Sequence, residues 1–230
     1  MKILAVGPHP DDIEFGCAPV LIQETAQGHP VRIVVTSLGE AASFGTPEER
    51  AAEARQAADI IGAEIEFMDF GGDCHVEPNT HNSIAMARHI RVFQPQIILA
   101  PTPHQNQHPD HTAVSKIVQR AARLARYAGL PELRDLPPHR IDNLYYYAIT
   151  TMFDDAPDIL IDVTGVHALW EEAIRCHKTQ IENRAYLDLV NARARSLGAS
   201  IGAGYAVGLW CNDPIRLNAL SDLKLSSRNF

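Results

Sequence analysis

Two short stretches of this chain hold side chains whose types and spacing can do chemistry. The first is Gly7-Pro8-His9-Pro10-Asp11-Asp12, and the second ends in His108-Pro109-Asp110-His111. His-Pro-Asp therefore occurs twice, and each copy is followed by one more potential ligand, Asp12 in the first and His111 in the second. Brought together, His9, Asp12 and His111 offer three nitrogen and oxygen donors and leave a fourth position for water. Catalytic zinc sites have this form, whereas structural ones are closed, usually by cysteines. The neighbouring groups supply the remaining parts. Asp11 is placed to act as general base toward a water. His108 can donate to a developing oxyanion or protonate a leaving amine. Asp110 can orient His108 and raise its pKa, because a nearby carboxylate favours the imidazolium. Together these groups describe metal-assisted hydrolysis of an amide or ester. Taken alone, the first stretch also reads as a proline-stiffened turn with Asp11 or Asp12 capping a helix. Asp110 likewise could cap a helix beginning near Thr112. The second copy tips the reading toward chemistry.

The elements around these stretches say how they meet. Ile3–Val6 reads as a strand, Cys17–Gln27 as a helix, and the β-branched run Val31–Thr36 as a second strand. Thr46-Pro47-Glu48-Glu49 is a capping box with proline at the first helical position, opening a helix that runs to Gly62. Ile65–Met68, Ile97–Ala100, Asn143–Ile149 and Ile159–Val163 read as further strands. Ser83–Gln94, Thr112–Tyr127, Ala168–Arg175 and Arg184–Leu197 read as helices, and the glycine-rich tail from Gly198 resists assignment. Strands alternate with helices through residue 130, which predicts an α/β fold with a mostly parallel sheet. No linker marks a second domain: residues 1–130 read as the core and 131–230 as its completion. In open parallel sheets ligands bind at the carboxyl ends of the strands. The loops after the first four strands should therefore share one crevice, and both His-Pro-Asp copies lie in such loops.

Bulk properties narrow the function. The chain has 230 residues, 46% of them hydrophobic, enough for one domain with a real core. A formal charge of −8, and no Lys/Arg cluster that marks a phosphate-tracking face, argue against a nucleic-acid partner. No apolar run approaches the roughly 18–20 residues that span a bilayer, and the start lacks the apolar segment of a signal peptide. Four scattered cysteines form no CxxC pair, as expected of reduced cytoplasmic thiols, and Cys74 reads as a buried thiol. The Tyr145-Tyr146-Tyr147 run, alternating faces along a strand, reads as packing.

The strand-end HPDD and the later HPDH together resemble the PIG-L/LmbE family of zinc-dependent deacetylases. The resemblance extends through Ala122 and more weakly beyond. It implies a Rossmann-like three-layer fold and removal of the N-acetyl group from N-acetylglucosamine-type sugars or glycosides. It implies zinc on His9, Asp12 and His111, with Asp11 as base and His108, supported by Asp110, as the oxyanion-stabilising or acid residue. A homo-oligomer is also implied. Iron or cobalt could fill the same donor set. Gly45–Glu53 matches the family's loop and following helix, which makes Arg50 a substrate-binding candidate held by Glu53. His177-Lys178-Thr179-Gln180 is similar to a helical segment near the family's site, which adds His177 and Gln180. The loop Gly71-Gly72-Asp73-Cys74-His75-Val76-Glu77-Pro78 departs from the family's LPDG-like loop, and His75 joins the substrate-binding candidates. That departure keeps open an amidase acting on another amide, such as a thiol-sugar conjugate or antibiotic precursor. A non-catalytic small-molecule or nucleotide-binding module is the rival of a different class, weakened by the missing GxGxxG after the first strand.

Overall fold

A computed structural model describes residues 1–104, 108–149, 156–182, 184–222 and 226; Gln105, Asn106 and Gln107, inside the second motif's loop, lie outside the described residues. The strands are β1 (Ile3–Gly7), β2 (Val31–Val35), β3 (Glu64–Phe67), β4 (Ile97–Pro101), β5 (Asn143–Tyr147), β6 (Ile159–Asp162) and β7 (Ala206–Cys211). The helices are α1 (Asp12–Gly16), α2 (Ala18–Ala26), α3 (Pro47–Ile61), α4 (Thr80–Phe93), α5 (Pro109–Leu124), α6 (His167–Arg175), α7 (Lys178–Ile181) and α8 (Tyr186–Ser200).

The strands form one sheet in the order β3-β2-β1-β4-β5-β7-β6. It is parallel from β3 to β5, and β7 runs antiparallel to both of its neighbours. Side chains alternate across a strand, so each buried strand feeds two cores. Ile3, Ala5, Ile33 and Val35 pack with Leu21, Ile61, Trp170 and Val190 on the face covered by α2, α3, α6 and α8. Leu4, Val6, Val34 and Ile98 pack with Met86, Ile90, Val114 and Ile117 under α4 and α5. The result is the three-layer α/β/α arrangement the alternating pattern predicts.

β1 lies between β2 and β4. The chain leaves β1 toward one face through α1 and α2, and leaves β4 toward the other through α5. This is the switch point of an open sheet, where the loops part and leave a crevice. The two His-Pro-Asp copies follow these two adjacent strands.

Three departures from the sequence reading matter most to the site and the sheet, each with a local reason. α5 begins at Pro109, not near Thr112: proline suits the first helical position, and the His108 ring accepts the Asp110 N–H at 3.3 Å as N-cap. This places Asp110 and His111 in the helix's first turn. α1 is an additional short helix that opens directly on the first His-Pro-Asp copy. It lies so close to β5 that a Cβ on Gly16 would sit 2.2 Å from Tyr147, so only glycine fits there. The third difference is β7, inside the glycine-rich tail. Gly208 interrupts its apolar run and meets Pro157, and its partners come from β5 and β6, far away in sequence. The tyrosine run packs as expected: Tyr147 is buried with its hydroxyl on the Val6 carbonyl at 2.8 Å, and Tyr146 donates to Asn212 Oδ1 at 2.5 Å.

Candidate active site

The turn after β1 folds Asp12 back onto His9. Asp12 Oδ2 accepts the His9 backbone N–H at 2.9 Å and lies 3.0 Å from His9 Nδ1. Pro10 between them fixes one backbone angle of this turn. His111, from the first turn of α5, brings Nε2 to 3.2 Å from the other oxygen, Asp12 Oδ1. The ligand atoms of His9, Asp12 and His111 all lie within 4.8 Å of one another, and the three residues are only 7%, 3% and 5% exposed. Burial works against charge on Asp12, yet the His111 and His9 imidazoles hold its carboxyl far below the usual range.

A second group, His9, Asp73, His108 and Asp110, shares His9 with the first. Its contacts use the other ring nitrogen: His9 Nε2 lies 3.1 Å from Asp73 Oδ1 and 3.3 Å from Asp110 Oδ2. A histidine that ligates a metal through one nitrogen commonly gives the other N–H to a carboxylate, which fixes its ring and raises its basicity. His9 has that arrangement, with Asp12 on one side and Asp73 and Asp110 on the other. The donor set of His9, Asp12 and His111 therefore fits a small divalent cation, and the second group fits the shell that orients it. Asp73 was not legible as a site residue. The available signal was a carboxylate in the loop after the third strand, at the crevice end of the sheet.

Asp110 is placed differently from expectation. Its Oδ2 accepts the Cys74 N–H at 2.8 Å and faces His9, while His108 Nδ1 stands 3.8 Å away. It orients His108 through its backbone N–H instead. With Nδ1 accepting, the His108 proton resides on Nε2, which faces Asp73 Oδ1 at 3.5 Å. The expected rise in the His108 pKa does not appear. Burial and then the His9 imidazole lower it, and Asp110 and Asp73 only partly offset them. Cys74, read as a buried thiol, is exposed at the rim with its backbone at φ 68° and its Sγ 3.6 Å from His108 Nε2. Partial desolvation and the adjacent Asp73 carboxylate raise its pKa.

Asp11 lies beside the metal set and pairs with Arg50, whose Nη2 is 3.3 Å from Asp11 Oδ2. Arg50 is 3% exposed and also donates through Nη1 to the Gly39 carbonyl at 3.1 Å. A Cβ on Gly39 would sit 1.7 Å from that nitrogen, and Gly39 has φ +71°, so the loop after β2 requires glycine there. Burial pushes the Asp11 carboxyl up to about 6; Arg50 opposes this and Asp12 adds to it. Glu53 does not hold Arg50. It accepts the backbone N–H and hydroxyl of Thr179 at 3.0 and 2.7 Å, tying α3 to α7.

The C-terminal part of the chain braces α1 from behind. The Trp170 indole donates to the Glu14 carbonyl at 2.7 Å, and Arg193 donates to the Phe15 carbonyl at 2.6 Å. His177 Nε2 faces Glu14 Oε2 at 3.2 Å. His177 is fully buried, so the substrate contact expected of it is corrected: it has no surface to offer and is an internal partner of the helix that carries Asp12.

These groups open into a cavity of about 290 Å³ lined by His9, Asp11, Asp12 and His111 together with Phe15, Phe44 and Tyr186. Arg50 and Gln180 line it, and Gln180 also donates to the Phe44 carbonyl at 3.1 Å. His75 is not among its lining residues. It borders a separate hollow with Glu40, Asp69 and Gly72, its ring Nδ1 on the Asp73 carbonyl at 2.9 Å.

The family profile of PIG-L, described as GlcNAc-PI de-N-acetylase, matches residues 4–122, which include both motifs. The chain belongs to the PIG-L family. Among curated proteins it is 27% identical over 195 residues to diacetylchitobiose deacetylase of Thermococcus kodakarensis, covering 78% of this chain and 70% of that one. A solved structure of a conserved protein from Thermus thermophilus superposes with a TM-score of 0.85 at 30% identity, covering 94% and 96% of the two chains. A 4-carboxy-2-hydroxymuconate hydratase from Pseudomonas putida superposes with a TM-score of 0.82 at 23% identity, covering 95% and 99%. That likeness is one of fold. Among the described residues no helix of this PIG-L member is long and apolar enough to cross a membrane.

Proposed function

We propose that this PIG-L member hydrolyses the N-acetyl group of an N-acetylglucosamine-type sugar or glycoside, releasing acetate and a free amine, with zinc as its cation. The reading rests on one juxtaposition. A buried His-Asp-His donor set and a further carboxylate, Asp11, together line a cavity near the lower limit of small-molecule sites, roughly 300 Å³. The nitrogen and oxygen donors suit zinc, which when bound polarises the acetamide carbonyl as a Lewis acid. Asp11 Oδ accepts a proton from the attacking water, as a carboxylate beside the donor set is placed to do. His108, with its proton on Nε2, lines the same cavity and donates toward the developing oxyanion. Collapse breaks the C–N bond, and the proton held on the protein passes to the amine nitrogen. Phe44 and Tyr186 offer apolar faces to the sugar ring.

The test is acetate release from a panel of N-acetylated amino sugars and glycosides, with and without a chelator. The expected result is release that the chelator abolishes. The panel also contains an unsaturated tricarboxylate, because a 4-carboxy-2-hydroxymuconate hydratase shares the fold. Hydration of that compound with no acetate from any sugar would overturn the deacetylase reading. The cation itself is checked separately. Asp12→Ala removes the ligand that joins both imidazoles, and the purified variant should contain no stoichiometric metal by elemental analysis. A fully loaded variant would move the site to His9, Asp73, His108 and Asp110.

A further inference from the structure

At the other end of α5, away from the motif, the structure holds a second and larger cavity, about 560 Å³. Arg120, Arg123 and Arg126 reach it from α5 and the residues just after it, and Arg140 from the segment before β5. On α5, Arg120 and Arg123 lie roughly 14 and 18 Å along the helix axis from His111, at 1.5 Å per residue. Arg120 and Arg123, at i and i+3 on α5, share one cavity with Arg126 from the turn just after it, and like charges so placed are unfavourable without a counter-charge. No ion pair to a carboxylate within 4 Å is made by any of the four among the described residues. Arg120 is held by Thr80 Oγ1 at 2.9 Å and Arg123 by the Tyr127 hydroxyl at 3.0 Å, both neutral partners. Relief of the helix dipole accounts for a cation in the last turn, but not for Arg140, which arrives from another element. The four arginines meet in one cavity and not along an extended face, so the argument against a nucleic-acid partner stands beside them. Three of the arginines were legible in Arg120-Ala121-Ala122-Arg123-Leu124-Ala125-Arg126; their convergence with Arg140 was not.

The rest of the wall defines the ligand. Gln119 Nε2 donates to Asn212 Oδ1 at 2.9 Å, and the Tyr146 hydroxyl donates to the same oxygen, so the polar back of the cavity is fixed. Asp142 and Asp213 add acceptors to the same wall, and Ala122 and Leu144 add apolar surface. Guanidinium groups bind phosphate bidentately, and the carboxylates are suited to hydroxyl groups. The concave form and a volume within the small-molecule range, roughly 300–1,000 Å³, favour a small ligand over a polymer. We infer that this cleft binds a small phosphorylated polyol, the phosphate held by Arg126 and Arg140 and the hydroxyls by Asp142 and Asp213.

Calorimetry with glucose 6-phosphate, glucose and inorganic phosphate tests this on the full chain. Glucose 6-phosphate should bind more tightly than inorganic phosphate, glucose should not bind, and affinity should fall as salt rises. Arg126→Ala and Arg140→Ala, both at exposed positions, should each lower that affinity at least tenfold and leave the melting temperature and deacetylation unchanged. No binding at millimolar ligand, or equal binding by the variants, would overturn the inference. A change of mass in light scattering confined to the two variants would also overturn it, by making the cleft an interface between copies of the chain.

Discussion

Asp11→Asn is expected to keep its metal and lose turnover by about 10²–10⁴-fold, the usual contribution of a positioned general base. That loss corresponds to roughly 3–5 kcal/mol of transition-state stabilisation. The substitution separates the base from its structural duty. Asp11 is also the carboxylate partner of Arg50, a buried cation whose Nε has no hydrogen-bond partner. Alanine would leave that charge unpaired inside the protein, whereas asparagine keeps an oxygen acceptor for Arg50 Nη2 at nearly the same place. The variant should therefore fold and hold the cation through His9, Asp12 and His111, none of which it alters. Measuring metal content and thermal melting beside kcat and KM makes the result decisive. A folded, metal-loaded variant with wild-type turnover would remove Asp11 from the chemistry. A variant that loses metal as well would make Asp11 part of the ligand shell.

The contrast between what was and was not legible follows from distance along the chain. His9 and Asp12 are brought together by a four-residue turn, and His108 and His111 by the first turn of one helix, so their spacing alone betrays them. Their meeting follows from topology, because β1 and β4 are neighbours at the switch point. Asp73 lies in a loop whose glycine-rich sequence gives no sign that its carboxylate turns toward His9. Arg50 shows the reverse. Its place near the site follows from the resemblance, but its partner does not, since the contact to Asp11 depends on Gly39 letting the loop approach closely. β7 shows the same limit in the fold. A six-residue strand holding a glycine and pairing with two distant strands carries too little local pattern to announce itself.

His177→Gln is expected to lower stability by about 3–5 kcal/mol, the range for breaking a buried ion pair by removing one partner. For a chain of this size that is a fall in melting temperature of roughly 6–20 °C. Glu14 and His177 have side chains 3% and 0% exposed and stand 3.2 Å apart, yet neither ring nitrogen has an aligned hydrogen bond. The pair is thus held by charge more than by hydrogen-bond geometry, and its loss leaves a carboxylate in the core. Burial works against a proton on His177, but Glu14 first, then Asp11 and Glu53, raise its pKa above the ordinary value. A group whose folded pKa is raised stabilises fully below its unfolded value, about 6.5, and the contribution fades as pH rises through the folded value. The gap in melting temperature between wild type and His177→Gln should therefore be widest in mild acid and narrow toward alkaline pH. The double variant Glu14→Gln/His177→Gln removes the stranded charge and should recover much of the loss. Because Glu14 sits on the same short helix as Asp12, the single variant should also release metal to a competing chelator more readily than wild type, and the double variant should restore retention. A gap independent of pH, or a double variant no better than the single, would reduce His177 to a space-filling residue and leave α1 braced by Trp170 and Arg193 alone.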